Sequence, residues 1–229
     1  MKKKILIIFA IIAVILIGLI LYFVVSDLQQ EEKLKSELNE LSQLSNAENI
    51  DIDKIDEKLN TIVTKDDYAI VEKAFKDYLS DSFNNNLEIA SILNDEKITQ
   101  ALTPENYKND RPEFTNTKEY LTKTIDQLEY CKNKYNEFLT DEKAMSYIND
   151  KNLDSYYINL YKDEIVGDLS NTDKTVENSI NEVITMLDKS ENIIDFLVEN
   201  KNHWEIEKDN IVFDDTDLSR EYDDLISQL

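Results

Sequence analysis

The chain has 229 residues but only two glycines, two prolines, one cysteine, one histidine and one tryptophan. Each scarcity removes an option. Glycine supplies the positive φ angles of tight hairpins and phosphate-cradling loops, so a chain this poor in it makes few of either. That excludes nucleotide-binding folds built on glycine-rich loops and predicts an almost entirely helical fold. A lone Cys131 forms no intramolecular disulfide. It shares helical spacing with Leu121, Ile125, Leu128, Tyr135 and Phe138, which predicts a buried thiol, an intermolecular bridge being the alternative. One cysteine and one histidine, His203, assemble no zinc site from nitrogen and sulfur within one chain. The same shortage leaves no Cys–His or Ser–His nucleophile suggested by spacing. No cofactor motif is present, so no cofactor, no metal and no enzymatic activity are expected. With 48 acids in the chain, a hydrolase working by paired carboxylates remains a remote alternative.

Positive charge is short as well. Lysine and arginine total 25 and the net charge is −23. Setting aside Lys2, Lys3 and Lys4 makes residues 26–229 more negative still. Such a surface repels nucleic acid and anionic polymers; a partner drawn by charge would be a cation or a basic protein, and solubility is the plainer purpose. The clusters Asp51, Asp53, Asp56 and Asp214, Asp215, Asp217 lack the glycine of a calcium loop and read as helix caps.

What the sequence does have is one long apolar stretch, Ile5 to Val25, without a charged residue and preceded by the three lysines. At about 1.5 Å per helical residue it covers the roughly 30 Å hydrocarbon core of a bilayer. It is longer than the apolar core of a secretory signal peptide and ends without an Ala-x-Ala site, which favours an uncleaved anchor. Lysines before the run, and Asp27, Glu31 and Glu32 ahead of Lys33 after it, predict a cytoplasmic N-terminus and an extracytoplasmic remainder. The expected organisation is a cytoplasmic segment 1–4, a transmembrane anchor 5–25, a juxtamembrane helix or stalk 26–48, and an extracytoplasmic helical domain 49–229.

Along that remainder, Leu34, Leu38 and Leu41 form a short apolar seam. It either joins two chains as a homodimeric coiled coil or serves as a stalk or a helix docked on its own domain. Asn49 or Asp51 caps a helix through Ile52, Ile55, Leu59, Ile62 and Val63. A longer helix opens at Lys65-Asp66-Asp67 and runs to Leu93, with a break possible at Asn84-Asn85-Asn86. Residues 94–115 hold Pro104 and Pro112 and read as irregular, with Thr103 capping one helical turn. Helices follow from Asn116 to Leu139, from Thr140 through Ile148, and from Leu153 to Val166, where Gly167 is expected as a left-handed stop. Val176, Ile180, Val183, Leu187, Ser190, Ile194 and Leu197 alternate intervals of four and three, predicting a central packed helix. Trp204 to Phe213 reads as a two-strand hairpin around Lys208-Asp209-Asn210, and Leu218, Tyr222, Leu225 and Leu229 as a last amphipathic helix.

The residues offered for a ligand or partner surface are Tyr107 and Arg111 in the proline-bearing link, and Tyr147, Tyr156, Tyr157 and Tyr161. They line a groove or fill the edge of an ordinary core. The ending, from Phe196-Leu197 through Asn200-Lys201-Asn202, Trp204, Ile211-Val212-Phe213 and Tyr222, resembles that of uncharacterised bacterial envelope proteins held by a lipid or a single N-terminal helix. This chain lacks their lipid-bearing cysteine. The resemblance implies a helical fold and an envelope location, and no activity. The expected fold is all-α: a transmembrane helix, then an antiparallel bundle of about five to seven helices with a small C-terminal β-hairpin. The expected function is a membrane-anchored interaction or scaffold module with a protein partner, the alternative being a ligand-binding or sensing domain.

Overall fold

The computed structural model describes residues 29–45, 51–169 and 174–229. The apolar run 5–25 lies outside them. Among the described residues no helix is long and apolar enough to cross a membrane. The fold is mostly helical and ends in one antiparallel hairpin. In chain order the helices are α1 (Gln29–Ser45), α2 (Ile52–Asn60), α3 (Asp66–Leu93), α4 (Glu96–Gln100), α5 (Pro104–Asp110), α6 (Thr115–Phe138), α7 (Asp141–Ser146), α8 (Ser155–Leu169) and α9 (Thr175–Glu199). Strands β1 (Trp204–Glu207) and β2 (Asn210–Phe213) follow, then α10 (Thr216–Ser227). Ten described helices exceed the five to seven expected, and two of them, α4 and α5, lie in the proline-bearing link that reads as irregular in the sequence.

Local chemistry accounts for most boundaries. Asp51, Asp95, Thr103, Thr140 and Asp215 each accept a backbone N–H of the first turn they precede, which satisfies donors a helix start leaves open. The two acidic clusters therefore contain helix caps at Asp51 and Asp215. α3 runs unbroken through Asn84-Asn85-Asn86, with Asn85 and Asn86 buried. α8 continues to Leu169, past Gly167, which has no positive φ. A glycine inside a helix costs only about 1 kcal/mol, so Gly167 does not end this one. The hairpin pairs Trp204 with Phe213 and Ile206 with Ile211, and Lys208 and Asp209 take the positive φ angles of its turn without glycine.

The described residues fall into two compact units, and the chain passes between them at 88/89, 132/133 and 176/177. The amino-terminal unit, from residues 29–88 and 133–176, has a core of Leu34, Leu38, Leu41, Ile55, Leu59, Val71, Phe75, Tyr78, Phe138, Ala144, Ile148 and Tyr161. The seam leucines thus pack inside their own chain, no more than 2 % exposed. Of the two readings of that seam, α1 takes the one of a helix docked on its own unit. The carboxy-terminal unit, from residues 89–132 and 177–229, is organised on α9, whose Ile180, Val183, Leu187, Ile194 and Leu197 are all buried. Phe196, Phe213 and Tyr222 meet with ring centroids 5.5–6.4 Å apart, joining hairpin and α10 to that helix. Trp204 Nε1 donates to the Leu197 carbonyl at 2.8 Å. Cys131 is buried.

Candidate functional site

The six sequence-predicted surface residues divide between the units. Tyr107 and Arg111 belong to the carboxy-terminal unit, and Tyr147, Tyr156, Tyr157 and Tyr161 to the amino-terminal one. Tyr107 is 1 % exposed and meets Phe114 edge to face at 5.5 Å. Burial, reinforced by the neighbouring Tyr222, raises its pKa well above the phenol range. Arg111 is exposed, its guanidinium 6.0 Å from the Trp204 ring. This pair packs the proline-bearing link onto the hairpin.

In the amino-terminal unit, Tyr68, Phe75 and Tyr78 of α3 recur at helical spacing and each receives one tyrosine. Tyr157 meets Tyr68 at 5.1 Å, Tyr161 meets Phe75 at 4.7 Å and Tyr147 meets Tyr78 at 5.6 Å. Three of these hydroxyls are engaged. Tyr78 donates to the Phe138 carbonyl, Tyr161 to the Ala144 carbonyl, and Tyr147 to Asp81. Burial is the main reason that Tyr78, Tyr147 and Tyr161 hold their protons far above the phenol range, with Asp81 adding to it at Tyr147. This is how amphipathic rings close the edge of a core. Tyr156 differs: the residue is 49 % exposed, and its hydroxyl donates to Glu31 Oε1 at 2.7 Å.

Sequence reasoning missed a charged network inside the same unit. Lys76, 1 % exposed, places its ammonium 3.0 Å from Glu37 Oε1 and 2.7 Å from Glu72 Oε1, and donates to the Thr61 carbonyl. Three acceptors match its three protons. Glu72, with no exposed surface, accepts the Val63 and Thr64 backbone N–H groups and the Thr64 hydroxyl. Burial acts to raise its pKa, but the Lys76 ammonium and the Thr64 and Val63 donors outweigh it and hold the carboxyl below its ordinary value. Lys58 reaches the other Glu37 oxygen at 3.0 Å and Glu40 at 2.6 Å.

The network explains a second departure from the sequence reading, which ran α2 on to Val63. α2 ends at Asn60 and the next residue, Thr61, is extended; in the link 61–65, Lys76 takes the Thr61 carbonyl and Glu72 the Val63 and Thr64 N–H groups. Ile62 and Val63 therefore leave the apolar face assigned to them and stand 40 % and 37 % exposed. The only sequence trace was the i,i+4 pair Glu72 and Lys76, a spacing that ordinarily marks a solvent-exposed helix face.

Chemically, these groups tie elements together: each carboxylate in the Lys76 network has an ammonium partner. Among the described residues no three His, Cys, Asp or Glu side chains are placed to hold a metal ion. No protein-family model, curated protein or solved structure matches this chain.

Proposed function

We propose that this chain is a non-enzymatic interaction module of a cell membrane, held by Ile5–Val25 and presenting its acidic helical units on the extracytoplasmic side. The observation that carries the reading is the uninterrupted apolar run with lysines on one flank and acids on the other, the pattern of a single-span anchor with its positive side inward. Two facts support the rest. The tyrosines of the amino-terminal unit lie against α3 with the contacts of a core edge, and the buried charges are spent on internal ties. The resemblance of the ending to anchored envelope proteins points to the same location.

Full-length protein in intact protoplasts tests the location and sidedness. External protease removes the helical units while the membrane fraction retains a short anchored fragment; complete protection overturns the topology, and recovery of the chain in the soluble fraction overturns the anchor. Crosslinking in native membranes tests the partner: a discrete heteromeric adduct is expected, and monomer alone counts against an interaction role.

A further inference from the structure

We propose that the end of the amino-terminal unit that carries Ile62, Val63, Ile70 and Tyr156 rests on the interfacial layer of the same bilayer, so that the unit lies against the membrane rather than standing off it. The inference builds on the anchor reading and adds an orientation to it. Its geometry comes from covalent reach. Four Cα steps separate Val25 from Gln29, and at 3.8 Å each they span about 15 Å at most. The first turn of α1 is then held next to the membrane whatever path those residues take.

Two contacts identify what surrounds that first turn. The Lys65 backbone N–H donates to Gln30 Oε1 at 3.2 Å, and the Tyr156 hydroxyl donates to Glu31 at 2.7 Å. The link 61–65, the start of α3 and the start of α8 therefore share the end at which α1 begins. Farther along, Glu37 of α1 reaches Lys76 of α3, so the two helices advance together from that end.

Exposed apolar side chains gather at this end. Of the large hydrophobic residues exposed in the amino-terminal unit, Ile62, Val63, Ile70 and Tyr156 lie on these segments, and Ile52 alone lies elsewhere among the described residues. Ile62 and Val63 are held in place, because Glu72 binds the Val63 and Thr64 backbone N–H groups. A tyrosine half out of the protein, with its hydroxyl tied back to a carboxylate, suits the headgroup layer, where an apolar ring with a polar tip is favoured. Charge sets the lipid preference. Lys65 is exposed there, but so are Asp66, Asp67 and Asp154, so the contact is with the apolar part of the interface and anionic headgroups weaken it.

Ile52 supplies an internal control, 46 % exposed. Lys58 of α2 lies opposite Glu37 and Glu40, and α2 leads from there toward the Lys65 end, which puts Ile52 about 9 Å back on the far side.

The test uses the full chain in phosphatidylcholine nanodiscs, with an environment-sensitive fluorophore on the thiol of Ile62→Cys or Ile52→Cys and lipid-borne bromine as quencher. Unsubstituted chain reports any labelling of buried Cys131. A several-fold larger loss of fluorescence at position 62 than at position 52, reduced when phosphatidylglycerol replaces part of the lipid, is the expected result. Equal, weak quenching at both positions in chain that co-purifies with the discs overturns the membrane-facing orientation and leaves the anchor intact. Chain that fails to enter the discs overturns the anchor, and this inference with it.

Discussion

An ammonium as deeply buried as that of Lys76 is tolerable only because Glu37, Glu72 and the Thr61 carbonyl all accept from it, and its removal would leave the buried Glu72 carboxylate without a cation, Glu37 keeping Lys58. Breaking a buried pair from one side costs about 3–5 kcal/mol, so Lys76→Met is expected to lower the urea midpoint sharply. Lys73→Met is the contrast. Lys73 pairs with Asp77 at the same i,i+4 spacing but in solvent, and its loss is expected to cost under about 0.5 kcal/mol. Similar losses in the two variants would show that the buried network contributes little. The tyrosines make a second residue-level prediction. Burial, aided by Asp95, pushes Tyr120 up to about 12, and burial raises Tyr78, Tyr107 and Tyr161 well above the phenol range. A phenol whose folded pKa is raised favours the folded state fully below the unfolded value near 10, and that contribution is lost as pH climbs through the folded value. Phenolate absorbance is therefore expected to lag in the folded chain above pH 10 and then to rise together with loss of helical circular dichroism. Ionisation of most tyrosines near pH 10 with the helices intact would contradict their burial.

Among the elements, α6 shows how a helix start is built here without a capping residue at its own boundary. Asp110, at the end of α5, reaches across the link and accepts the backbone N–H groups of Asn116 and Thr117, at 3.3 and 2.7 Å, and the Thr117 hydroxyl at 2.7 Å. Partial burial works to raise its pKa, yet the Thr117 and Asn116 donors outweigh it and hold it below the ordinary carboxylate value. Asp110→Ala is expected to cost about 1–2 kcal/mol, as loss of a cap does, measured by thermal unfolding at pH 7. Since a depressed folded pKa contributes stability above the unfolded value near 4 and loses it as pH falls through the folded value, the gap between variant and parent should close in acid. Element boundaries also mark the limit of what sequence conveys. Heptad spacing from Val176 to Leu197, the Thr103, Thr140 and Asp215 caps and the period change at Trp204 were all legible, because each is a local pattern. The end of α2 was not, because apolar spacing at Ile62 and Val63 favours helix while the groups that unwind it, Glu72 and Lys76, act from another helix. For Tyr161 the pattern left groove lining and core edge both open, since burial of an amphipathic ring depends on whether a carbonyl such as that of Ala144 lies within reach of its hydroxyl.

For the whole molecule the governing quantity is charge, with 48 acids against 25 bases. Ion pairs such as Lys118–Asp195 and Lys201–Glu113 are exposed, and pairs of that kind contribute little each and are weakened by salt. Close to half of the acids have no base to match them, so repulsion among unmatched carboxylates outweighs the attraction that salt would remove. Raising ionic strength from 0.01 to 0.15 M shortens the screening length from about 30 to 8 Å. Stability should therefore increase with salt. A gain of about 1 kcal/mol, which for a chain of this size is about 2–4 °C in Tm, is the expected scale, and sodium chloride and choline chloride should give the same shift because screening is indifferent to cation identity. Calcium chloride at matched ionic strength separates diffuse screening from a discrete site. A calcium shift much larger than the sodium shift would mean that a set of carboxylates converges on one ion, contrary to reading Asp51 and Asp215 as helix caps, whereas a shift close to that of sodium leaves the acid as a dispersed field that sets solubility and the preference for partners of opposite charge.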